Sequence, residues 1–468
     1  MRSPLIERPK RRRLYRERER GVTMAFVALS MAALISMAAL SIDIGALYEA
    51  KAEAQRSADL GALAAARMIS LEGATGDPTG PATTSWSDVC GGATSPASLA
   101  AIAMAQQNLI NGAVPSTINV YYGTRNGVTA GTSDCTGAGP EFTVNPVVQV
   151  YVQQASLPTY FARVFSLVAS GAGGNSGVSA TATAEVYNSS GSGALPAGMV
   201  AVQPRCVKPW IVPNADPAHI GKTFLNADGT ITTAGTQITT PTPGVIGENF
   251  TLKAACANAS GPCTLAPNPP TGTGGILYYV PASATGTPVA VASNSSCALT
   301  NTYQEEIAGC DQTTVYACGA VGAVATSLAI DPNPGPFGTN DTATGIACLT
   351  NSLSGETDQL AGYPNPNYPF QIMAGFGNPL VQAGVVNDAD IVTTSNSIVT
   401  LPIYNSGAPG GMPPNVTIIG FLQVFIDGVV GGYPNVTVMN IAGCGSIGTP
   451  TASVAGSSPV PIRLITSP

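Results

Sequence analysis

Residues 21–71 read GVTMAFVALSMAALISMAALSIDIGALYEAKAEAQRSADLGALAAARMISL, and this stretch decides the fold. Its first part, Gly21 to Leu40, is uncharged and apolar, whereas the rest is rich in alanine with scattered charges. About 20 apolar residues, rising about 1.5 Å each, cross a hydrocarbon core of about 30 Å. No proline occurs between Pro9 and Pro78. The stretch therefore predicts one long helix that spans a membrane in its first half and continues outside it.

The segment before this helix, residues 1–20, is a basic tail. It contains nine Lys or Arg and three Glu, so it carries +6, and the other 448 residues carry −13 of the chain's total of −7. Basic segments stay on the cytoplasmic side of a membrane. We therefore expect a single-pass protein of the bacterial inner membrane, with a cytoplasmic N-terminus that contacts membrane lipid and a periplasmic or extracellular bulk.

Two export signals compete with this interpretation. Ser36-Met37-Ala38 loosely resembles the cleavage site of a secretory signal, but the apolar run is longer than the usual ~7 to 15 residues of such signals. Arg12-Arg13 suggests a twin-arginine signal, but it lies too far from the apolar core. A permanent anchor remains the favoured interpretation.

Beyond the span, small side chains recur at spacings of three and four and so share one helix face. Such a face allows close approach of a sheet or another helix, and it can pack either on the protein's own domain or on a partner. Asp43 lies at the outer end of the apolar run, where it is expected to mark the membrane boundary. The candidate interface residues are Leu47, Ala50, Ala54, Ser57, Gly61, Ala64, Met68 and Leu71.

Three segments carry a resemblance to a known family: Arg20-Gly21-Val22, Ile42-Asp43-Ile44-Gly45-Ala46-Leu47-Tyr48, and Ala54-Gln55-Arg56-Ser57-Ala58-Asp59-Leu60-Gly61-Ala62-Leu63-Ala64-Ala65-Ala66-Arg67. In order and spacing they resemble the TadG-like N-terminal domain of Flp (Tad) pilus-assembly proteins. A second similarity follows at 157–165 and 178–184. The resemblance implies a non-enzymatic component or accessory of pilus assembly or related secretion, with other pilus-assembly or envelope proteins as partners.

Departures from the family and its relatives limit this inference. Ala46 stands where family members usually have arginine, and Leu60-Gly61 interrupts the usual alanine run. Phe26 stands where a processed prepilin has glutamate, which argues against prepilin peptidase cleavage. The chain has no Asp-x-Ser-x-Ser motif, so metal-dependent adhesion is not expected.

All ten cysteines follow the span, as expected for disulfides formed after export. Zinc is the alternative, but no C-x-x-C pair exists and His219 is the only histidine. Spacing does not give the pairing. The candidates are Cys90, Cys135, Cys206, Cys256, Cys263, Cys297, Cys310, Cys318, Cys348 and Cys444.

The sequence offers little catalytic or ligand-binding chemistry. Gly221-Lys222-Thr223 lacks the earlier glycine of a phosphate-binding loop. His219 is expected at the surface, Glu305-Glu306 lacks the rest of an acid–base site, and Asp388 with Asp390 lacks a calcium motif. The acidic exported part does not suit nucleic acid. We expect no catalytic residues, cofactor, metal ion or small-molecule substrate.

Composition and pattern predict an α+β fold. The transmembrane helix continues into a pilin-like helix packed on antiparallel strands, and a β-rich, disulfide-braced C-terminal region follows. Ten per cent of the residues are charged, and 53 Gly and 38 Pro favour strands and turns. The expected divisions are a tail at 1–20, the helix at 21–70, an α+β domain at 71–190 and a β-rich region at 191–468.

Smaller elements can also be predicted. Residues 71–94 resemble a linker, 95–111 a helix, 117–122, 142–153 and 178–187 strands, and 159–167 a short helix. From Val200 onward only strands and turns are expected, including a hairpin at Asn226-Ala227-Asp228-Gly229. Strands are predicted at 398–404, 416–426 and 436–441, and the loops at 331–336 and 363–369 are rich in proline.

Two other functions remain open. A surface adhesin or minor pilin-like filament subunit would lose its tail and shear off with filaments. A periplasmic hydrolase of unrecognised type would depend on His219.

Overall fold

The computed structural model describes residues 12–71, 75, 84–124, 132–138, 141–158, 176–188, 202–231, 244–257, 263–265, 271–283, 297–314, 316, 321–323, 327–328, 340–363, 366, 368–406, 415–444 and 454–465. The helices in these ranges are α1 Arg12–Leu71, α2 Thr84–Cys90, α3 Pro96–Gln107, α4 Glu141–Val144, α5 Thr302–Ala308, α6 Asp341–Leu349 and α7 Pro379–Gln382. Short 3₁₀ turns lie at Cys135–Gly137 and Ser352–Ser354.

The strands in the N-terminal part are β1 Thr117–Gly123, β2 Val147–Leu157 and β3 Ser176–Val186. Those that follow are β4 Val202–Pro204, β5 Trp210–Pro213, β6 Asn249–Ala254, β7 Cys263–Thr264, β8 Gly272–Thr273, β9 Ile276–Pro281, β10 Val321–Ala323, β11 Ser327–Leu328, β12 Gln359–Leu360, β13 Ile372–Met373, β14 Ile391–Val392, β15 Ile398–Tyr404, β16 Asn415–Val430, β17 Tyr433–Gly443, β18 Val454–Gly456 and β19 Ile462–Ile465. The fold is mixed α+β, with a long apolar N-terminal helix and a β-rich C-terminal region, as the sequence predicts.

The chain divides into two compact units. The first comprises Met1–Ala58, Ala105–Ile118 and Tyr151–Ala180, and the second comprises Asp59–Met104, Asn119–Val150 and Thr181–Pro468. Within the first unit, Ser57 Oγ donates a hydrogen bond to the carbonyl of Ala105 over 2.9 Å. The backbone N–H of Asn111 donates to Glu53 Oε2 over 2.6 Å. These contacts hold α1 against the last turn of α3 and the loop that follows it.

A closed ring of strands forms the centre of the second unit. Strands β16, β15, β5, β9, β6 and β17 pair in that order, and β17 pairs again with β16. The pairings β15–β5 and β6–β9 are parallel, whereas β15–β16, β16–β17, β17–β6 and β5–β9 are antiparallel. Strands β10 and β8 extend the ring at β16 and β9.

Alternation along the ring strands divides the core into two clusters, since successive strand residues point to opposite faces. Trp210 and Val212 belong to the larger cluster, whereas Ile211 between them belongs to the smaller one. Leu422 and Phe421 are separated in the same way. The ring is thus covered by apolar side chains on both faces.

A separate four-stranded sheet has the order β1-β2-β3-β19. Its last strand comes from the C-terminal part of the chain, where Ile462 to Ile465 pair antiparallel with Val186 to Thr183. Sequence reasoning predicted its first three strands but not the fourth.

The expectation of strands and turns alone beyond residue 200 was wrong, because α5, α6 and α7 lie there. Asparagine caps begin all three helices: Asn301, Asn340 and Asn378 accept hydrogen bonds from the backbone N–H of Gln304, Ala343 and Leu380. These helices are only four to nine residues long. Their apolar periodicity was too short to distinguish them from strands.

Several smaller predictions also need correction. The supposed linker contains α2, and the strand predicted from Phe142 begins at Val147 after the helical turn α4. Phe142 is instead buried beside Trp86, with ring centroids 5.3 Å apart. The strands predicted at 398–404, 416–426 and 436–441 are confirmed as β15, β16 and β17. The helix predicted at 159–167 and the loop at 331–336 lie outside the described residues.

Candidate functional site: the N-terminal helix

Residues 22–35 of α1 present large apolar side chains on all sides. Met24, Leu34 and Ile35 are 78%, 66% and 65% exposed, and the same holds around the whole circumference. A helix that is apolar all round is stable only in an apolar environment. Val22–Leu71 is long and apolar enough to cross a membrane, by length and composition. The other exposed apolar residues are Val22, Phe26, Val27, Leu29, Met31, Met37, Leu40, Ile42 and Ile44.

Asp43 ends this apolar segment but is not displayed to water. It is 5% exposed, and Ala39, one turn earlier, is 8% exposed. The two residues share a helix face because they are four positions apart. The buried face of α1 therefore begins at Ala39, inside the apolar segment.

The second half of α1 is buried along a broad face. Of the candidate interface residues, Ala50, Ala54, Ser57, Gly61 and Leu71 are buried, whereas Leu47, Ala64 and Met68 are half-buried. Five apolar residues outside the predicted stripe are fully buried, and they widen it because 3.6 residues per turn place two adjacent rows on one side. They are Ala58, Ala62, Ala65, Ala66 and Ile69.

Two asparagines hold the C-terminal end of α1 within the second unit. Asn440 Nδ2 on β17 donates to the carbonyl of Ser70 over 2.8 Å, and Leu71 joins the larger ring cluster. Asn188 Nδ2 donates to the carbonyls of Thr75 and Ile441 over 2.9 and 3.1 Å. The last carbonyls of a helix lack intrahelical partners, and Asn440 satisfies that of Ser70. Asn188 instead joins Thr75, four residues beyond α1, to β17. Sequence reasoning missed both asparagines because an isolated Asn in a strand or loop gives no distinctive pattern.

Four cysteine pairs are bonded: Cys90–Cys135, Cys206–Cys310, Cys256–Cys263 and Cys297–Cys348. Cys444 is also disulfide-bonded, and Cys318 lies outside the described residues. The second pair closes a separation of 104 residues. Long closed loops restrict the unfolded chain most in the chain-entropy model. Cys310 bonds to the distant Cys206 rather than to Cys318, which is closer in sequence.

The other residues that the sequence suggested for catalysis or metal binding lie in different surroundings. Glu305 is exposed, whereas its neighbour Glu306 is buried, and burial raises the pKa of Glu306 to about 7. Asp388 is exposed, and Asp390 accepts hydrogen bonds from Asn387. His219 is half-buried and lies beside Asp216 and Glu248. Glu248 was not identified in the sequence because it is 29 positions from His219 and belongs to no motif.

A family model described as "Putative Flp pilus-assembly TadE/G-like" matches residues 21–68. The match covers the apolar segment and most of the buried face, so this segment of α1 is TadE/G-like. The resemblance noted in the sequence is thereby confirmed over these residues, and it does not extend to the similarity at 157–184. A search of curated proteins and a search of solved structures each found no match.

Proposed function

We propose that this chain is a membrane-anchored, non-enzymatic component or accessory of Flp/Tad pilus assembly or a related secretion system. The match of residues 21–68 to a TadE/G-like pilus-assembly model carries the proposal. The remainder of the chain would offer an extracytoplasmic surface to other pilus or envelope proteins.

The physical properties of α1 support an anchor. Residues 22–40 are apolar and mostly exposed over about the length that a bilayer requires, and the same helix continues without interruption into the buried half.

Charge and disulfides support the orientation. The basic tail favours a cytoplasmic N-terminus, and disulfides persist in oxidising compartments rather than in the cytosol. Eight cysteines in four described pairs lie after the span, together with the bonded Cys444. Each feature independently supports the proposed arrangement, in which residues 72–468 lie outside the cytoplasm.

A gene-deletion experiment in the source bacterium tests the assembly role. Loss of the gene should abolish or strongly reduce filaments counted by electron microscopy, and the wild-type gene should restore them. Unchanged filament numbers in the deletion strain would overturn the proposed function.

Complementing the deletion with a charged variant tests the anchor. Leu34→Arg places a charge at the centre of the span, which opposes insertion by about 2.5 to 3.5 kcal/mol. Leu34→Phe is the matched control, since it keeps the site apolar. We expect Leu34→Arg alone to leave the membrane fraction and to fail in complementation. Full complementation by a Leu34→Arg protein found outside the membrane would contradict the anchor.

The N-terminus of the membrane-extracted protein distinguishes an accessory from a filament subunit. A chain that retains the basic tail and stays with the cell envelope after shearing is expected. A start at Val22, together with recovery in sheared filaments, would support the filament-subunit alternative instead.

A further inference from the structure

Three ligand-type side chains converge beside the ring of strands. Asp216 and His219 lie in the turn after β5, and Glu248 lies immediately before β6. His219 Nδ1 is 2.9 Å from Asp216 Oδ2 and 3.0 Å from Glu248 Oε1. One ligand atom from each of the three residues lies within 4.8 Å of the other two. The imidazole nitrogen Nδ1 of His219 thus contacts both carboxylates.

The turn orients Asp216 before any ligand binds. Asp216 Oδ1 accepts hydrogen bonds from the backbone N–H groups of Ala218 and His219, each over 2.9 Å. The backbone N–H of Asp216 donates to the carbonyl of Lys222, which closes the turn. One carboxylate oxygen is therefore used by the backbone, and Oδ2 is left facing the imidazole. This is a pre-organised arrangement for a ligand oxygen.

The surroundings of Glu248 indicate a bound cation. It is 3% exposed, and apart from the contact of Oε1 with His219 Nδ1 over 3.0 Å, neither carboxylate oxygen accepts a hydrogen bond from a described residue. Asp216, which is 6% exposed, faces it with a second carboxylate. Buried carboxylates are normally paired or coordinate a metal ion, and here two of them share one imidazole.

The distances suit coordination. Ligand atoms about 2.1 Å from a metal ion and at right angles to each other lie about 3.0 Å apart. The two measured separations, 2.9 and 3.0 Å, match such neighbouring positions. Imidazole favours transition metals over calcium or magnesium, and carboxylates complete a mixed nitrogen and oxygen set. The side chain of His219 is 36% exposed, so water can reach the remaining positions.

We propose that Asp216, His219 and Glu248 form a binding site for a divalent transition-metal ion, with Zn²⁺ as the probe ion for the test. The ion joins the turn after β5 to the start of β6 and so braces the ring of strands. The role is structural, and it is independent of the proposed pilus-assembly function. The sequence predicts no metal site here, because Glu248 lies 29 positions from His219 and completes no ligand motif with it.

His219 makes the test unusually direct, because it is the only histidine of the chain. The full chain is prepared in detergent without an affinity tag, with its histidine labelled with ¹⁵N, and is titrated with Zn²⁺. We expect the Nδ1 resonance to shift and to saturate at one ion per chain. The thermal unfolding midpoint should rise by several degrees over the same titration, since a ligand that binds only the folded state stabilises it.

Variants distinguish a metal site from a hydrogen-bonded triad. His219→Gln, Asp216→Asn and Glu248→Gln should each abolish the saturable Zn²⁺ response, whereas Asp388→Asn, an exposed carboxylate elsewhere, should leave it unchanged. Glu248→Gln should also stabilise the metal-free chain, because it removes one of two facing buried carboxylates. A Glu248→Gln protein that is folded but shows no saturable response to Zn²⁺ therefore supports the proposal.

Three results would overturn it. The first is an Nδ1 resonance that does not respond to Zn²⁺ in the wild-type chain. The second is a Zn²⁺ response that persists in Glu248→Gln. The third is a response to Ca²⁺ or Mg²⁺ that exceeds the response to Zn²⁺, which would contradict the donor-set argument.

Discussion

At the scale of single residues, Tyr303 connects three elements through its hydroxyl group. Trp210 Nε1 on β5 donates to this oxygen over 2.9 Å, and the hydroxyls of Tyr279 on β9 and Thr342 on α6 lie at 2.7 and 3.2 Å. The network is buried, so each polar atom depends on its partners. Tyr303 therefore joins α5 to the ring through hydrogen bonds as well as through packing.

Removing this hydroxyl should destabilise the fold. Tyr303→Phe leaves the indole N–H of Trp210 buried without an acceptor, which costs about 1 to 3 kcal/mol. Tyr278→Phe, on the other face of the same strand as Tyr279, is the control and should cost less. Equilibrium unfolding in denaturant measures both. Equal losses in the two variants would contradict the assigned network.

Asp427 makes stability depend on pH. Burial raises its pKa from the ordinary 3.8 to about 7, against the opposing hydrogen bonds from Thr437 and Asn249. Between about pH 4 and pH 7 the folded chain keeps a proton that the unfolded chain releases, so this group's contribution to stability falls as pH rises.

Asp427→Asn should remove that dependence, because asparagine stays neutral and still accepts from Thr437 and Asn249. We expect the variant to be more stable than wild type near pH 8 by an amount on the order of 1 kcal/mol, with the gain absent near pH 4. Unfolding free energies across this range provide the measurement. Asp88→Asn, an exposed carboxylate, is the control, and a gain that is constant with pH would count against the assignment.

At the scale of elements, α5 and α6 pack at one close contact. A Cβ atom added at Gly345 would lie 2.8 Å from Ile307 Cβ. Glycine is required at position 345 because the two helices lie so close together, and not because of its backbone conformation. The pair is further held by Gln304 Nε2, which donates to Asp341 Oδ1 over 2.6 Å.

Gly345→Ala should therefore overpack the helix pair and cost about 1 to 3 kcal/mol. Adding Ile307→Ala should recover part of the loss, since it removes the atoms that the new methyl group meets. Denaturant unfolding of the single and double variants gives the free energy of coupling between the two substitutions. Additive losses would show that the contact is not the cause.

The buried face of α1 can be tested with neighbouring alanines. Ala54 is fully buried and Ala52 is exposed, although both lie on the same helix only two positions apart. Ala54→Leu should cost about 1 to 3 kcal/mol by overpacking, and Ala52→Leu should be nearly neutral. Thermal unfolding of the detergent-solubilised chain compares the two. Similar midpoints would show that the face has no packing role.

These elements show how far the sequence could predict the structure. The length and apolar character of α1 are local properties, so its existence and its buried half followed from the residues alone. The helices α5 and α6 are too short for periodicity to identify, and their stability depends on contacts made across the ring. The partners Asn440 and Glu248 were unpredictable for the same reason, since tertiary proximity leaves no pattern in one sequence.

At the scale of the whole molecule, distant segments complete shared structures. Arg463 on β19 pairs with Glu185 on β3, 278 positions earlier in the chain, and Arg463 Nε lies 2.9 Å from Glu185 Oε2. The carboxylate is fully buried, and the guanidinium also lies 4.9 Å from the ring of Tyr187. The last strand thus brings a compensating charge to a buried acid.

Arg463→Met should leave this carboxylate buried without its cationic partner and cost about 3 kcal/mol or more. Glu185→Gln in the same chain should recover most of the loss. A double-mutant cycle of unfolding free energies measures the coupling. A coupling energy near zero would show that the pair contributes nothing to stability.

The position of β19 also constrains the order of biogenesis. In the proposed orientation the N-terminus stays in the cytoplasm and the residues nearest α1 cross the membrane first, so β1, β2 and β3 emerge long before residues 462–465. Until then the edge of β3 has open backbone hydrogen-bonding groups, and such edges invite pairing with foreign strands. During translocation the nascent protein would therefore carry an adhesive sheet edge, and periplasmic chaperones that shield such edges would influence its yield more than its final stability.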